Sequence, residues 1–140
     1  MLPEAIPFRE HVGTMKLEQI DHLAITCRAP DASRDWYIRV LGFEHVHAGL
    51  WDGIPIFLKL GSTFVALFPA RDAAAQPSNT APRLEHFALR AGTQADFREA
   101  QAQLAALGIS FNFQDHRIAH SVYFADPDGH TVEITTYDVR

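Results

Sequence analysis

Two histidines and a glutamate stand out in this chain for what they could do together. His22 and His86 each follow an acidic residue and precede an apolar one, and Glu133 lies between Val132 and Ile134. A carboxylate in so apolar a strand is costly unless a cation or a hydrogen-bond donor satisfies it. Two neutral imidazoles and one carboxylate, with positions left open, form the donor set used by Fe(II); it also suits Mn, Ni, Co or Zn. Taken singly, a strand histidine is more often a hydrogen-bonded or half-exposed residue than a ligand. The case for a metal rests on these two histidines being one position counted twice.

The chain contains itself twice. Ile20-Asp21-His22-Leu23-Ala24-Ile25 returns as Leu84-Glu85-His86-Phe87-Ala88-Leu89, each position keeping its chemical type. Each copy leads into a helical pattern, with Asp31 or Thr93 available to cap the start. Trp36, Val40 and Leu41 supply the apolar face of the first, and Phe97, Ala100, Leu104 and Leu107 that of the second. Both helices stop alike, at Leu41-Gly42-Phe43 and Leu107-Gly108-Ile109, where glycine suits the left-handed position after a helix. Extended runs follow at 44–48, 54–60 and 63–68, and again at 110–114, 121–125 and 131–137. The expected fold is α+β: tandem βαβββ modules over residues 17–69 and 83–140, forming a cupped, barrel-like mixed sheet with helices outside. Residues 70–82 read as a linker, and residues 1–16 as an N-terminal arm.

Alternation along a strand sorts side chains between the helix side and the cup. His22, Ala24 and Thr26 share the cup face with His86, Ala88 and Arg90, with Phe64, Ala66 and Phe68, and with Thr131, Glu133 and Thr135. The turn Asp126-Pro127-Asp128-Gly129 signals a hairpin. If Asp126 pairs with His130, Tyr123 lies across from Glu133, where it could donate a hydrogen bond or act as acid or base. Arg90 could hold an anionic group on a substrate; Phe64 and Phe68 suggest an apolar or aromatic substrate body. Thr26 and His120 are further candidates for substrate contact, and His116 or His120 could shuttle protons. The plainer alternatives are a strand-end arginine, barrel-core phenylalanines and loop histidines.

Composition bounds the rest. An apolar content of 47% belongs to a globular chain, and a net charge of −5 without a basic run argues against nucleic acid. One cysteine, Cys27, excludes an internal disulfide framework and fits a reducing compartment, so cytoplasm is the expected address. No apolar stretch at the N-terminus reads as a signal peptide or membrane span.

From about Gln19 to Tyr137 the chain resembles the vicinal oxygen chelate superfamily, which includes glyoxalase I, extradiol dioxygenases, fosfomycin-resistance transferases and bleomycin-binding proteins. The resemblance is carried by Ile20-Asp21-His22-Leu23, Trp36-Tyr37, Leu41-Gly42-Phe43, Leu84-Glu85-His86 and the run from His120 to Ile134. It implies divalent metal ligands at His22, His86 and Glu133, a small substrate bound through neighbouring oxygens, and a homodimer. In a dimer with exchanged modules, His22 of one chain would meet His86 and Glu133 of the other; the alternative is a site within one chain. Ala66 stands where glyoxalase I carries a fourth ligand, which argues against that reaction. Ala24 stands where the fosfomycin transferases place Thr or Cys, although Tyr123 falls on their substrate-contacting tyrosine. The metal triad argues against the bleomycin-binding class. The expectation is a metal-dependent dioxygenase or lyase, with a thiol transferase or a metal-free binding protein as alternatives.

Overall fold

The computed structural model describes residues 15–16, 18–76 and 81–140. Most of the expected N-terminal arm and the middle of the linker lie outside them. The first module runs β1 (Leu23–Cys27), α1 (Pro30–Leu41), β2 (Glu44–Val46), β3 (Ile56–Leu60) and β4 (Thr63–Pro69). The second repeats the order: β5 (Phe87–Arg90), α2 (Gln94–Ala106), β6 (Asn112–Asp115), β7 (His120–Ala125) and β8 (Thr131–Thr136). Each module forms a four-stranded sheet, ordered β1-β4-β3-β2 and β5-β8-β7-β6. In each, the first strand lies parallel to the last, and the other pairs are antiparallel. The fold is α+β with the expected duplicated topology.

Local chemistry explains the helix ends. Thr93 caps α2 by accepting from the Asp96 amide at 3.0 Å. Asp31 does not cap α1: Pro30 occupies the first turn, where its missing N–H is no loss, and Ala29 stands at the cap without a side-chain bond. Asp31 instead meets Arg34 one turn on, at 3.2 Å. Gly42 and Gly108 both take positive φ, 78° and 73°, where a Cβ would be strained.

The helix-side residues of both modules merge into one core. Ile25, Leu58, Val65 and Leu67 of the first sheet join Val122, Phe124, Val132 and Ile134 of the second, around Trp36 and Tyr37 of α1 and Phe97 and Leu104 of α2. Full burial of an apolar side chain of this size contributes about 1.5–3 kcal/mol, so this shared core dominates how the modules sit. A polar clamp fixes their register. At the β7–β8 turn, Asp128 accepts from the Arg28 amide (2.8 Å) and from the Ser33 hydroxyl (2.9 Å). His130 donates its Nε2–H to the Thr26 carbonyl at 2.7 Å. No helix among the described residues is long and apolar enough to cross a membrane.

Candidate functional site

On the open face of the second sheet, His86 Nε2 lies 2.9 Å from Glu133 Oε1. Both positions follow from strand parity. Glu133 pairs with Ala88 of β5 and with Tyr123 of β7, and His86 precedes β5 on the same face. Glu133 is 8% exposed, so its carboxylate needs partners on both oxygens. His86 faces one; Ser121 Oγ lies 2.7 Å from the other and 2.9 Å from Thr135 Oγ1. The serine proton goes to the carboxylate, the stronger acceptor. Ser121 was not singled out from the sequence, although its alternation with Tyr123 places it on the cup face beside Glu133.

Tyr123 completes this half of the site. Its ring stands edge-on to His86 with centroids 5.6 Å apart, and its hydroxyl lies 2.9 Å from His116 Nε2. Burial, reinforced by the charge of Glu133, raises its pKa above the ordinary phenol value. The phenol therefore stays protonated at neutral pH and remains a donor. His116, expected as a loop histidine, is thus attached to the site through Tyr123.

The other expected residues divide between the two sheets. His22 lies before β1 with Nδ1 at 2.9 Å from Asp21 Oδ2, and its ring meets Phe57 edge-on at 5.5 Å. Among the described residues no group of three or more His, Cys, Asp or Glu side chains gathers to hold a metal. Ala66 pairs with Ala24 as Glu133 pairs with Ala88, so the twin of the glutamate carries no donor. Phe64 packs against Phe57 with centroids 5.6 Å apart, and Phe68 is half-exposed farther along β4. Arg90 lies over the ring of Tyr137 at 4.8 Å. Thr26 lines a cleft of about 420 Å³ between β1 and the starts of β5 and β8, with His86 at its wall.

His120 departs from expectation. It opens β7, so alternation sends it to the helix side, with rings of Phe97 and Phe113 at 6.3 and 5.4 Å. It lies on the opposite face of the sheet from Glu133 and does not line the cup.

Residues 19–134 match the family described as the Glyoxalase/Bleomycin resistance protein/Dioxygenase superfamily. A catechol-2,3-dioxygenase of Bacillus subtilis (strain 168) is 28% identical over 130 residues, covering 89% of this chain and 40% of the relative. The chain thus spans under half the length of that protein. Among solved structures, a lactoylglutathione lyase from Agrobacterium tumefaciens is 26% identical with a TM-score of 0.70, covering 86% of this chain and 94% of that one. A fosfomycin resistance protein, FosX, from Mesorhizobium loti shares the fold at 23% identity and a TM-score of 0.63, covering 86% and 93%.

Proposed function

Because the chain belongs to the glyoxalase/bleomycin resistance protein/dioxygenase superfamily, we propose that it is a divalent-metal-dependent enzyme acting on a small substrate bound through two neighbouring oxygens. The observation that carries this is the 2.9 Å pairing of His86 with Glu133 on an open sheet face, beside a protonated Tyr123. An imidazole nitrogen and a carboxylate oxygen already side by side fit the donor set of Fe, Mn, Ni, Co or Zn. The third donor is His22 of a second copy, whose open first-module face would cover the open second-module face of its partner. The working form is then a homodimer with two such sites. A dioxygenase- or lyase-type reaction is the favoured class, in a reducing, cytoplasmic setting that suits a single buried cysteine.

A bound divalent ion would lower the pKa of a substrate hydroxyl and neutralise negative charge as it develops. The chain's own groups supply the rest. Ser121 holds the Glu133 carboxylate in place through its hydrogen bond. Tyr123 is placed to donate its hydroxyl proton toward an oxygen of the substrate, with His116 fixing the orientation of that hydroxyl. Arg90, resting on Tyr137, stands on the same face for an anionic substituent. Among the described residues no three-donor group gathers, and this supports a second reading, a metal-free small-molecule binder.

Mixing variants separates these. His22→Ala and Glu133→Ala homodimers should each hold no metal, yet an equal, fully exchanged mixture should recover about a quarter of the parental content. Half the dimers are then mixed, and each has one intact site. No recovery would place the ligands within one chain, and no metal in the parent would favour the binder.

A further inference from the structure

Behind the Glu133 carboxylate stand two hydroxyls with one proton each, and the direction in which those protons point decides how the carboxylate is held. Strand register places them: Thr135 lies directly across from Ser121, as Glu133 lies across from Tyr123. Ser121 is 0% exposed and Thr135 9%, so both hydroxyls find their partners inside the protein. Ser121 Oγ lies 2.7 Å from Glu133 Oε2 and 2.9 Å from Thr135 Oγ1, and Thr135 Oγ1 lies 3.3 Å from the His120 carbonyl. Two proton patterns fit these distances. In one, Ser121 donates to Thr135 and Thr135 to the His120 carbonyl, which takes the serine proton away from Glu133. In the other, Thr135 donates to Ser121 and Ser121 to Glu133. The second uses the two shorter contacts and ends on the charged acceptor, so it prevails.

Resting on the metal-binding role proposed for Glu133, we propose that Thr135 is a positioning residue for that ligand, acting through Ser121. A hydroxyl carries a single proton, so while Thr135 donates to Ser121 it is no longer an alternative target for the serine proton. That proton stays on the carboxylate. Glu133 Oε2 is thereby closed, and Oε1, 2.9 Å from His86 Nε2, is the oxygen left to the cup. A threonine that only filled space on β8 would be replaced by valine, nearly the same in shape, without consequence for Glu133.

The test is a double-mutant cycle on the full-length protein, read by calorimetric titration with Mn(II). Thr135→Val removes the hydroxyl and should weaken Mn(II) about three- to tenfold, less than the roughly 10–100-fold typical of a group that touches a ligand. Thr135→Ser keeps the hydroxyl and should bind as the parent does. In a Ser121→Ala background the Thr135→Val change should have no further effect, because the serine it acts through is gone. Parental affinity in Thr135→Val overturns the proposal, and so does equal weakening in the two backgrounds or by Thr135→Ser. Should Thr135→Val not fold, Thr135→Ala takes its place in the same cycle. The carboxyl carbon resonance of Glu133, assigned with Glu133→Gln in metal-free protein at neutral pH, gives a second readout. It should move in Thr135→Val, stay in Thr135→Ser, and ignore Thr135→Val once Ser121 is replaced by alanine. A parent that binds no metal ends the enzymatic reading by itself, and the role of Thr135 then stands or falls on this resonance.

Discussion

The hydroxyl of Tyr37, on α1 of the first module, donates a 2.8 Å hydrogen bond to Asp126 Oδ2 at the end of β7 in the second. Asp126 is buried, and its other oxygen already accepts from the amides of Asp128 and His130, at 2.8 and 2.9 Å. Tyr37 is therefore the partner on which Oδ2 depends. Removing the hydroxyl in Tyr37→Phe leaves a buried carboxylate oxygen short of a donor, a loss of about 1–3 kcal/mol. Urea unfolding should show a lower midpoint with an unchanged slope. An unchanged midpoint would mean that water replaces the phenol without cost.

Ser121 gives a prediction aimed at the metal. Its hydroxyl holds one Glu133 oxygen at 2.7 Å while His86 faces the other. Groups that orient a ligand in this way are typically worth 10–100-fold in metal affinity. Ser121→Ala should weaken Mn(II) or Ni(II) binding by about that factor in a calorimetric titration, with the far-ultraviolet circular dichroism unchanged. Unchanged affinity would detach Glu133 from the ligand set.

Cys27 predicts an alkaline limit. Burial pushes its thiol from an ordinary 9.0 up to about 12, with smaller contributions from the charges of Asp128 and Asp126. Below pH 9 the thiol is protonated in both folded and unfolded chains, and its stabilising contribution is whole. Between about pH 9 and 12 only the unfolded chain gives up the proton, so stability falls as pH rises. Tyr37, raised by burial and by Asp126, acts in the same direction. The melting temperature should therefore decline above pH 9, less steeply in Cys27→Ala, and the native thiol should resist disulfide reagents at pH 8 until denaturant is added.

The parts legible in the sequence are those that local chemistry dictates. Turn residues 126–129 were enough to place Tyr123 opposite Glu133, and the register and the Asp126–His130 backbone bond agree. The repeat announced both βαβββ modules, and alternation assigned Val132 and Ile134 to the core. Asp31 failed as a cap because proline and an acidic residue are both good first-turn residues, and pattern alone does not choose between registers one residue apart. From the sequence His120 reads as a loop residue; because β7 begins at His120, alternation sends it to the helix side. The docking of one module on the other was not legible, because a repeat identifies equivalent strands without saying which faces meet. That choice depends on the shared core around Trp36, Tyr37 and Phe97, where side chains far apart in sequence pack together.

His120 offers the sharpest control on the face assignment. It is half-buried on the helix side, where Gln94 donates to its Nδ1 at 3.1 Å and its Nε2 points to Asp115 at 3.7 Å. Both ring nitrogens thus face groups that lie outside the cup. His120→Ala should then act through packing alone, costing about 0.5–3 kcal/mol of stability as the contacts with Phe97 and Phe113 are lost. Metal affinity should stay at the parental value, because the sheet separates the ring from Glu133. His86→Ala, on the cup face, should abolish metal binding, and by leaving one oxygen of the buried Glu133 without its partner should also lower the unfolding midpoint, a loss of about 1–3 kcal/mol. If His120→Ala weakens metal or ligand binding in protein that still melts cooperatively, the separation of faces drawn from β7 is wrong.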